Sequence, residues 1–350
     1  MSLSEPGSAR PSLQPRRSRG RRDRPQTPRR AGVGAAGLVW LSLGLLSANA
    51  ALGCATRGPG EAKAPAEGGV AAADKHYDVA VGSFHNSMFE DAKLQLSRAL
   101  TSDPGHADSH YLLGVLLLNE GRTIVDAVEI DRCLVDEAAG HQRQRAEALH
   151  RKAREQFKTA AKHYESGAAG RGRSHNSMSV VDLFFGADGS AITEARAALA
   201  EQFYTHRYSA LANLGWAYHS QGNLVEATTE LRQSVMINPD YCVGRYRLAQ
   251  VYLDSERPDL ALEHASTVAD DSRCPIQDAH RIVGVANLRL GRADEAHTAF
   301  EQCVALSPRS CLAVDCSRFL GPSSTTPDLP AVSPPTLART AVNAHPATDG

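Results

Sequence analysis

The sequence predicts an all-α protein that is built from stacked helical hairpins. Small residues twelve positions apart, such as Gly215 and Ala227, recur along the chain. Apolar residues at helical intervals surround each small residue, and a turn residue such as Gly222 or Gly291 stands between the two helices. Because one hairpin cannot bury its own apolar face, we expect the hairpins to stack into a solenoid.

The clearest hairpin runs over residues 208–239. Gly215 and Ala227 are small because the two helices cross there, and their axes approach to about 8 to 10 Å. Pro239 ends the second helix, since proline has no backbone N–H to donate. The same positions are filled again near the C-terminus. The residues that define these two hairpins are Leu214, Gly215, Tyr218, Ala227 and Pro239 in one and Gly284, Ala296 and Pro308 in the other.

These residues resemble the tetratricopeptide repeat (TPR), whose pattern is W-x2-L-G-x2-Y followed by A-x3-F and P. The resemblance implies antiparallel helix pairs, with the first helix of each repeat lining a concave surface. In the loosest match, Gly114 is followed by Asp126 and Ile130 in the second-helix positions. Carrying the spacing along the chain predicts about five repeats, which begin near residues 73, 107, 208, 242 and 277.

The remaining stretches differ from the repeats in composition. The first thirty residues hold nine arginines, and the C-terminal stretch is rich in Pro, Ser and Thr without periodicity. We therefore expect six segments. They are a basic region with a signal peptide (1–53), a lipidated tether (54–72), repeats one and two (73–140), a long helix plus a Gly/Ser-rich insertion (141–206), repeats three to five with a cap (207–320), and a disordered tail (321–350).

The N-terminus has the layout of an export signal. Residues 31–53 are uncharged and long enough to enter a membrane, and they follow a basic stretch, which is the layout of a secretory signal. Residues 51–54, ALGC, resemble a bacterial lipobox, which implies that Cys54 becomes the lipidated first residue. We therefore expect an exported protein held at the periplasmic face of the outer membrane. Two alternatives stay open: a single transmembrane anchor, or a signal peptide cleaved after Ala48 or Ala50.

Charge and motifs argue against several function classes. Without residues 1–53, basic residues fall from 38 to 29 and acidic residues from 39 to 37, which leaves a net charge of −8. Nucleic acid is not an expected partner, since phosphate binding needs a concentrated basic face. The fourteen histidines are scattered, and no HExxH, GxSxG or Walker pattern occurs. We expect no enzymatic activity, cofactor, metal or small-molecule substrate.

Six cysteines follow Cys54, and an even count in an exported chain suggests disulfides. Cys133 and Cys303 stand where the repeat wants a small buried residue, so a reduced core cysteine explains those two equally well. Cys274 and Cys311 lie at the starts of successive first helices. The prediction is a Cys274–Cys311 disulfide, with Cys242 as a competing partner.

Counting from the small residue places aromatic and polar side chains on the concave face of the first helices. Trp, Tyr and Arg are the residue types that most often carry interface energy. The alternative is that these side chains pack against a neighbouring helix. The predicted partner-binding groove consists of Tyr77, Phe84, Tyr111, Trp216, His219, Tyr246, Gln250 and Arg281.

An exported, lipidated N-terminus followed by TPRs resembles the outer-membrane TPR lipoproteins that act as pilotins in type IV pilus assembly. That resemblance implies a secretin subunit as the partner and no catalysis. A general periplasmic scaffold for cell-envelope or secretion machinery is the first alternative. From a different class, a ligand-binding or enzymatic role centred on residues 170–195 is the second, and convergence of His175 and Asp182 in a polar pocket would favour it.

Overall fold

The computed structural model of the protein describes residues 67–134 and 136–321. Those residues contain thirteen α-helices and no β-strand. The helices are α1 (Glu67–His85), α2 (Phe89–Ser102), α3 (Ala107–Val125), α4 (Glu137–His163), α5 (Ala169–Phe184), α6 (Asp188–Ala200), α7 (Arg207–Ser220), α8 (Leu224–Ile237), α9 (Cys242–Asp254), α10 (Pro258–Ala269), α11 (Gln277–Arg289), α12 (Ala293–Leu306) and α13 (Cys311–Ser317).

The first twelve helices form six antiparallel hairpins, numbered one to six from α1–α2 to α11–α12. Each helix packs against the next one along the chain, and first helices such as α7, α9 and α11 also touch one another. The short helix α13 packs on α11 and α12 and caps the stack. The predicted all-α solenoid of helical hairpins is therefore confirmed, with one hairpin more than the sequence indicated.

The small residues stand where the helices of each hairpin cross. A methyl group on Gly215 would lie 2.7 Å from Leu231 Cγ and 3.1 Å from the carbonyl oxygen of Ala227. A methyl group on Gly284 would lie 2.6 Å from the ring of Phe300. The two predicted turn glycines, Gly222 and Gly291, have positive φ angles of 78° and 75°, which L side chains rarely adopt.

The second hairpin differs from the prediction. Asp126 and Ile130 belong to a π-helical turn, Asp126–Ile130, and not to a second helix. A methyl group on Gly114 would instead meet the ring of Phe157, at 2.6 Å. Ala153 and Phe157 of α4 are fully buried and fill the A-x3-F positions. The long helix predicted after residue 141 is thus the second helix of this hairpin.

The third hairpin, α5–α6, lies within the segment predicted to be a Gly/Ser-rich insertion. Ser179 and Ala191 are fully buried and keep the twelve-residue spacing, with Gly186 at the turn at φ 65°. The apolar stretch from Val180 to Phe185 belongs to this hairpin. A methyl group on Gly172 would lie 2.6 Å from Tyr204 Cβ, so this glycine allows the connection between α6 and α7 to approach α5 closely.

The ends of the predicted segments are only partly described. Helix α1 already begins at Glu67, so the last six residues of the predicted tether are helical. The signal region 1–53, the lipidation site Cys54 and most of the tether lie outside the described residues. Residues 322–350 of the predicted tail lie outside them as well.

Three disulfides connect the six described cysteines: Cys133–Cys311, Cys242–Cys274 and Cys303–Cys316. The predicted Cys274–Cys311 pairing is wrong. The starts of successive first helices do lie close together, as expected. The two cysteines at such neighbouring starts are Cys242, at the start of α9, and Cys274, just before α11. Cys274 therefore bonds to the competing partner named above.

The partner of Cys311 comes from far along the chain. Residues 126–134, which we call the crossing segment, connect α3 to α4 and reach the cap helix α13. Cys133 and Cys311 are separated by 178 residues, yet their Cα atoms are 4.6 Å apart. Ser307 Oγ also donates a hydrogen bond to the carbonyl oxygen of Ile130, at 3.0 Å. The crossing segment thus ties the second hairpin to the cap.

Candidate functional site

Two of the predicted groove anchors, Trp216 and Tyr246, are core residues. They are 7% and 4% exposed, and their ring centroids are 6.4 Å apart. The guanidinium of Arg247 lies over the indole, 5.4 Å from its centroid. Tyr246 Oη donates a hydrogen bond to Asp278 at 2.6 Å, and burial raises the pKa of this tyrosine. Helices of neighbouring hairpins cover both side chains, which is the alternative stated in the sequence analysis and does not agree with a place in an accessible groove.

Gln250 and Arg281, also predicted for the groove, are equally buried. Arg281 Nη2 donates to Gln250 Oε1 at 3.0 Å and to Asp278 at 3.1 Å. Burial opposes the charge of Arg281, but the carboxylate of Asp278 outweighs it and raises the pKa of the guanidinium. His219 Nε2 lies 2.7 Å from Asp254 Oδ2, which also accepts from Gln250 at 2.9 Å. The structure therefore brings these residues together as an internal network between hairpins four, five and six.

A second buried network joins hairpins three, four and five. Asn213 Nδ2 donates to Asn176 Oδ1 at 2.9 Å, and Asn213 Oδ1 accepts from Arg247 at 2.8 Å. Asn176 Nδ2 donates in turn to Ser209 Oγ at 3.2 Å. Burial lowers the pKa of Arg247. These hydrogen bonds fix the relative position of α5, α7 and α9, whose ends carry the site described next.

The remaining predicted groove residues come from the first two hairpins. Tyr77 is half-buried, with its ring 5.5 Å from that of His106, and burial together with the charge of Asp108 raises its pKa to about 12. Phe84 packs against Phe89 with a centroid distance of 6.0 Å. Tyr111 is the one predicted groove residue that lines the cavity described below.

A cavity of about 390 Å³ lies among the first helices of hairpins two to five and the connection that leads into α11. Ligand sites in proteins have volumes of about 300 to 1,000 Å³, so its size is that of a binding pocket. Helices α3 and α5 form one side, and the N-terminal ends of α7, α9 and α11 form the other. We call it the concave cavity. Its lining includes Tyr111, Val115, Arg173, Asn176, Ser177, Val180, Tyr204, His206, Tyr208, Tyr241, Cys242, Arg273, Cys274 and Ile276.

Most of these lining residues were missed from the sequence for two reasons. Asn176, Ser177 and Val180 lie in the stretch interpreted as a Gly/Ser-rich insertion. Tyr204, Tyr208 and Tyr241 precede or begin first helices, whereas the predicted groove was counted from the middle of each helix. A signal was present, because a tyrosine stands near the start of both α7 and α9.

His175 and Asp182 do not line the concave cavity but share one polar network, because Arg154, which binds Asp182, also lies 3.6 Å from Glu194. His175 Nδ1 lies 2.7 Å from Glu194 of the neighbouring helix. The buried carboxylate of Asp182 accepts two hydrogen bonds from Arg154, at 2.5 and 2.9 Å. Both residues thus hold α5 against its neighbours. The described residues contain no cluster of three or more His, Cys, Asp or Glu side chains that could hold a metal ion.

None of the helices that the structure describes is long and apolar enough to cross a membrane.

Comparison with models of protein families identifies the type of helical repeat. A model described as a tetratricopeptide repeat-like domain matches residues 146–311, and one described as a tetratricopeptide repeat matches residues 86–140. The chain contains tetratricopeptide repeats. The longer match begins within α4 and includes the α5–α6 hairpin, so it agrees with the structure on the segment that the sequence analysis set apart. A comparison with curated proteins finds no match.

Solved TPR structures share this fold. PilW, described as a widely conserved type IV pilus biogenesis factor, has a TM-score of 0.54 at 16% identity, covering 69% of this chain and 97% of PilW. PilF of Pseudomonas aeruginosa gives 0.51 at 18% identity, covering 72% and 99%. The APC/C hetero-tetramer Cut9–Hcn1 gives 0.55 at 14% identity, covering 71% of this chain and 42% of the other. At such identities the likeness shows the fold alone.

Proposed function

We propose that this protein is a membrane-anchored TPR lipoprotein that acts by binding a protein partner in the concave cavity, without catalysis. The observation that carries this proposal is the construction of the cavity. Four hairpins and the connection that leads into α11 contribute to one pocket, and tyrosine and arginine side chains line it. These residue types are enriched at protein interfaces and often carry binding energy there.

The proposal of a membrane anchor rests on the N-terminal sequence and on the disulfides. Cys54, at the end of an uncharged signal-like run, is the proposed lipidation site, and twelve residues separate it from α1. Three disulfides in the described residues support an oxidising compartment such as the periplasm. A lipid on Cys54 would hold the TPRs at the periplasmic face of the outer membrane, beside envelope-spanning assemblies.

We propose a pilotin-like role, in which the partner is a secretin subunit of a type IV pilus. The support is the fold shared with PilW over nearly the whole length of that protein, together with the lipoprotein-like N-terminus. A general periplasmic scaffold is the second candidate. It is favoured by the equally high TM-score with Cut9–Hcn1, because the same architecture serves there in a different assembly.

An affinity-capture experiment with a purified secretin subunit tests this proposal, using a variant in which a single bulky side chain blocks the cavity. In the full-length protein, Ser177→Trp places an indole among the lining residues, and Val225→Trp places one on α8, where Val225 is 77% exposed. We expect the parent and Val225→Trp to retain a purified secretin subunit on affinity resin, and Ser177→Trp to retain at least tenfold less. Circular dichroism and melting of both variants establish that they are folded.

Two outcomes would redirect this proposal. Equal capture by Ser177→Trp would move the binding site away from the cavity. Failure of the parent to retain a secretin, with cavity-dependent capture of another envelope protein, would favour the general scaffold. For the anchor, Cys54→Ser should abolish metabolic palmitate labelling and release the protein from the outer-membrane fraction, and unchanged labelling would contradict lipidation.

A further inference from the structure

One wall of the concave cavity is a continuous row of aromatic rings. The ring centroids of Tyr204 and His206 are 6.2 Å apart, those of His206 and Tyr208 are 5.8 Å apart, and those of Tyr208 and Tyr241 are 4.9 Å apart. Tyr204 is buried, while the other three are half-buried and present part of their surface. Aromatic-lined grooves of this kind are the docking sites of proline-rich segments, whose polyproline II form loses little entropy on binding.

The chain itself supplies such a segment. Residues 327–335 read PDLPAVSPP, with four prolines among nine residues and a P-x-x-P pattern at its start. Its one charge is the carboxylate of Asp328. Of the two arginines that line the cavity, Arg273 is already paired with Asp271 at 2.7 Å and lies 3.8 Å from Asp240, and Arg173 is the other. The segment and the cavity are therefore complementary chiefly in apolar character.

The position of the cap brings this segment within reach of the cavity. Ser310, which begins the cap, donates a hydrogen bond from Oγ to Gln277 Oε1 at 2.8 Å, and Gln277 directly follows the lining residue Ile276. From residue 311 to residue 320 the cap measures about 17 Å as one short α-helix and a 3₁₀ turn. Residues 321–326, if extended, span about 19 Å at roughly 3.1 Å per residue. That spacer is long enough to run back along the cap.

We infer that residues 327–335 bind in the concave cavity of their own chain, against the row from Tyr204 to Tyr241. Tethering gives the segment a high effective concentration at the site, so weak contacts suffice for occupancy. This inference goes beyond the proposed function, because it assigns an internal ligand to the cavity. A partner then enters by displacing that segment, and its apparent affinity equals its intrinsic affinity multiplied by the fraction of chains in which the segment has left the cavity.

Photo-crosslinking in the full-length protein tests the inference without any partner. Benzoylphenylalanine in place of Tyr208 keeps an aromatic ring in the wall, and the same residue in place of Val225 on α8 serves as the control. We expect irradiation to join position 208 to a peptide within residues 322–339 of the same chain, at the mass of a monomer. The control should give at least tenfold less of this product.

A second variant separates recognition of proline from mere proximity. Replacing Pro327, Pro330, Pro334 and Pro335 by Ala should reduce the monomeric cross-link at least fivefold, whereas Pro346→Ala should leave it unchanged. The inference is overturned if position 208 does not label the tail, if the product has the mass of a dimer, or if the fourfold variant labels as strongly as the parent. Because no secretin is present, any of these results leaves the capture experiment unaffected.

Discussion

At the crossing of α7 and α8, Gly215 leaves no room for even one methyl group. The hypothetical Cβ lies within 3.2 Å of Leu231 Cγ, the carbonyl oxygen of Ala227 and the amide nitrogen of Leu231. Two of these atoms are backbone, so a side chain cannot be accommodated by a rotamer change. We expect Gly215→Ala to lower the free energy of unfolding by about 1 to 3 kcal/mol, measured by urea denaturation.

The matched control is Gly82→Ala in α1. Nothing lies within 4 Å of the methyl group that this change would add. Alanine has a higher helix propensity than glycine, so Gly82→Ala should raise the free energy of unfolding by about 0.5 to 1 kcal/mol. If the two substitutions change stability in the same direction, the assignment of Gly215 to a tight crossing is wrong.

His150 provides a pH-dependent prediction. It is 2% exposed and packs edge-on against the ring of Phe184, with the two ring centroids 4.1 Å apart. Burial lowers its pKa from 6.5 to about 4. Between these two pKa values the unfolded chain binds the proton more strongly than the folded chain does. The contribution of neutral His150 to the free energy of unfolding is therefore complete above pH 6.5, and it falls by roughly 3 kcal/mol as the pH drops to 4.

His150→Leu removes this titration while keeping an apolar side chain in the site. The unfolding free energy of the parent minus that of the variant should therefore decrease between pH 6.5 and 4, because acidic groups contribute equally to both proteins. Urea unfolding at several pH values in this range measures the difference. A difference that stays constant with pH would mean that His150 is not buried in its neutral form.

Single residues also show which properties can be predicted from the sequence and which cannot. The spacing correctly identified Gly215, Ala227, Gly284 and Ala296 as crossing residues, because the size limit there is set within one hairpin. Burial of Trp216 is instead set by the neighbouring hairpins, whose distance depends on every residue between the helices. A helical count gives the face of a side chain but not what covers that face.

At the scale of one element, the second hairpin gives a sharp test. The sequence pattern placed Ile130 in the large apolar position, whereas the structure places Phe157 there, in contact with Gly114. Phe157 is fully buried and Ile130 is 37% exposed. We expect Phe157→Ala to lower the unfolding free energy by about 3 to 5 kcal/mol, and Ile130→Ala to change it by less than about 0.5 kcal/mol, both measured by urea denaturation.

Equal losses of unfolding free energy in these two variants would support the sequence-based pairing of Gly114 with Ile130. That pairing failed because the spacing was assumed to be constant, and the crossing segment lengthens the connection between α3 and α4. The motif Ala153-x3-Phe157 was present and matches A-x3-F. The α5–α6 hairpin was missed for a related reason. Gly170 and Gly172 are poor helix formers, and here the close approach of Tyr164 and Tyr204 outweighs that propensity.

At the scale of the whole TPR unit, the feature that local patterns could not predict is the disulfide between the crossing segment and the cap. Helices α3, α7, α9 and α11 begin within one residue of the predicted repeat starts, because helix starts depend on neighbours in sequence, whereas α1 begins six residues before the predicted start. The Cys133–Cys311 disulfide joins residues 178 positions apart and depends on how all the intervening hairpins stack. The concave cavity has the same origin, since its lining comes from four hairpins and the connection that leads into α11.

This disulfide should contribute more to stability than a disulfide that closes a short loop. In the chain-entropy model, the contribution grows as three halves RT times the logarithm of loop length. Loops of 178 and 32 residues, closed by Cys133–Cys311 and Cys242–Cys274, then differ by about 1.5 kcal/mol. We expect Cys133→Ser with Cys311→Ser to lower the unfolding free energy by about 4 to 5 kcal/mol, and Cys242→Ser with Cys274→Ser to lower it by about 1.5 kcal/mol less. Urea denaturation of the three proteins measures these values. Hydrogen exchange should rise in residues 126–134 and 311–320 of the first double variant only. If the second double variant instead loses more unfolding free energy than the first, native packing rather than loop closure sets the contribution of each disulfide.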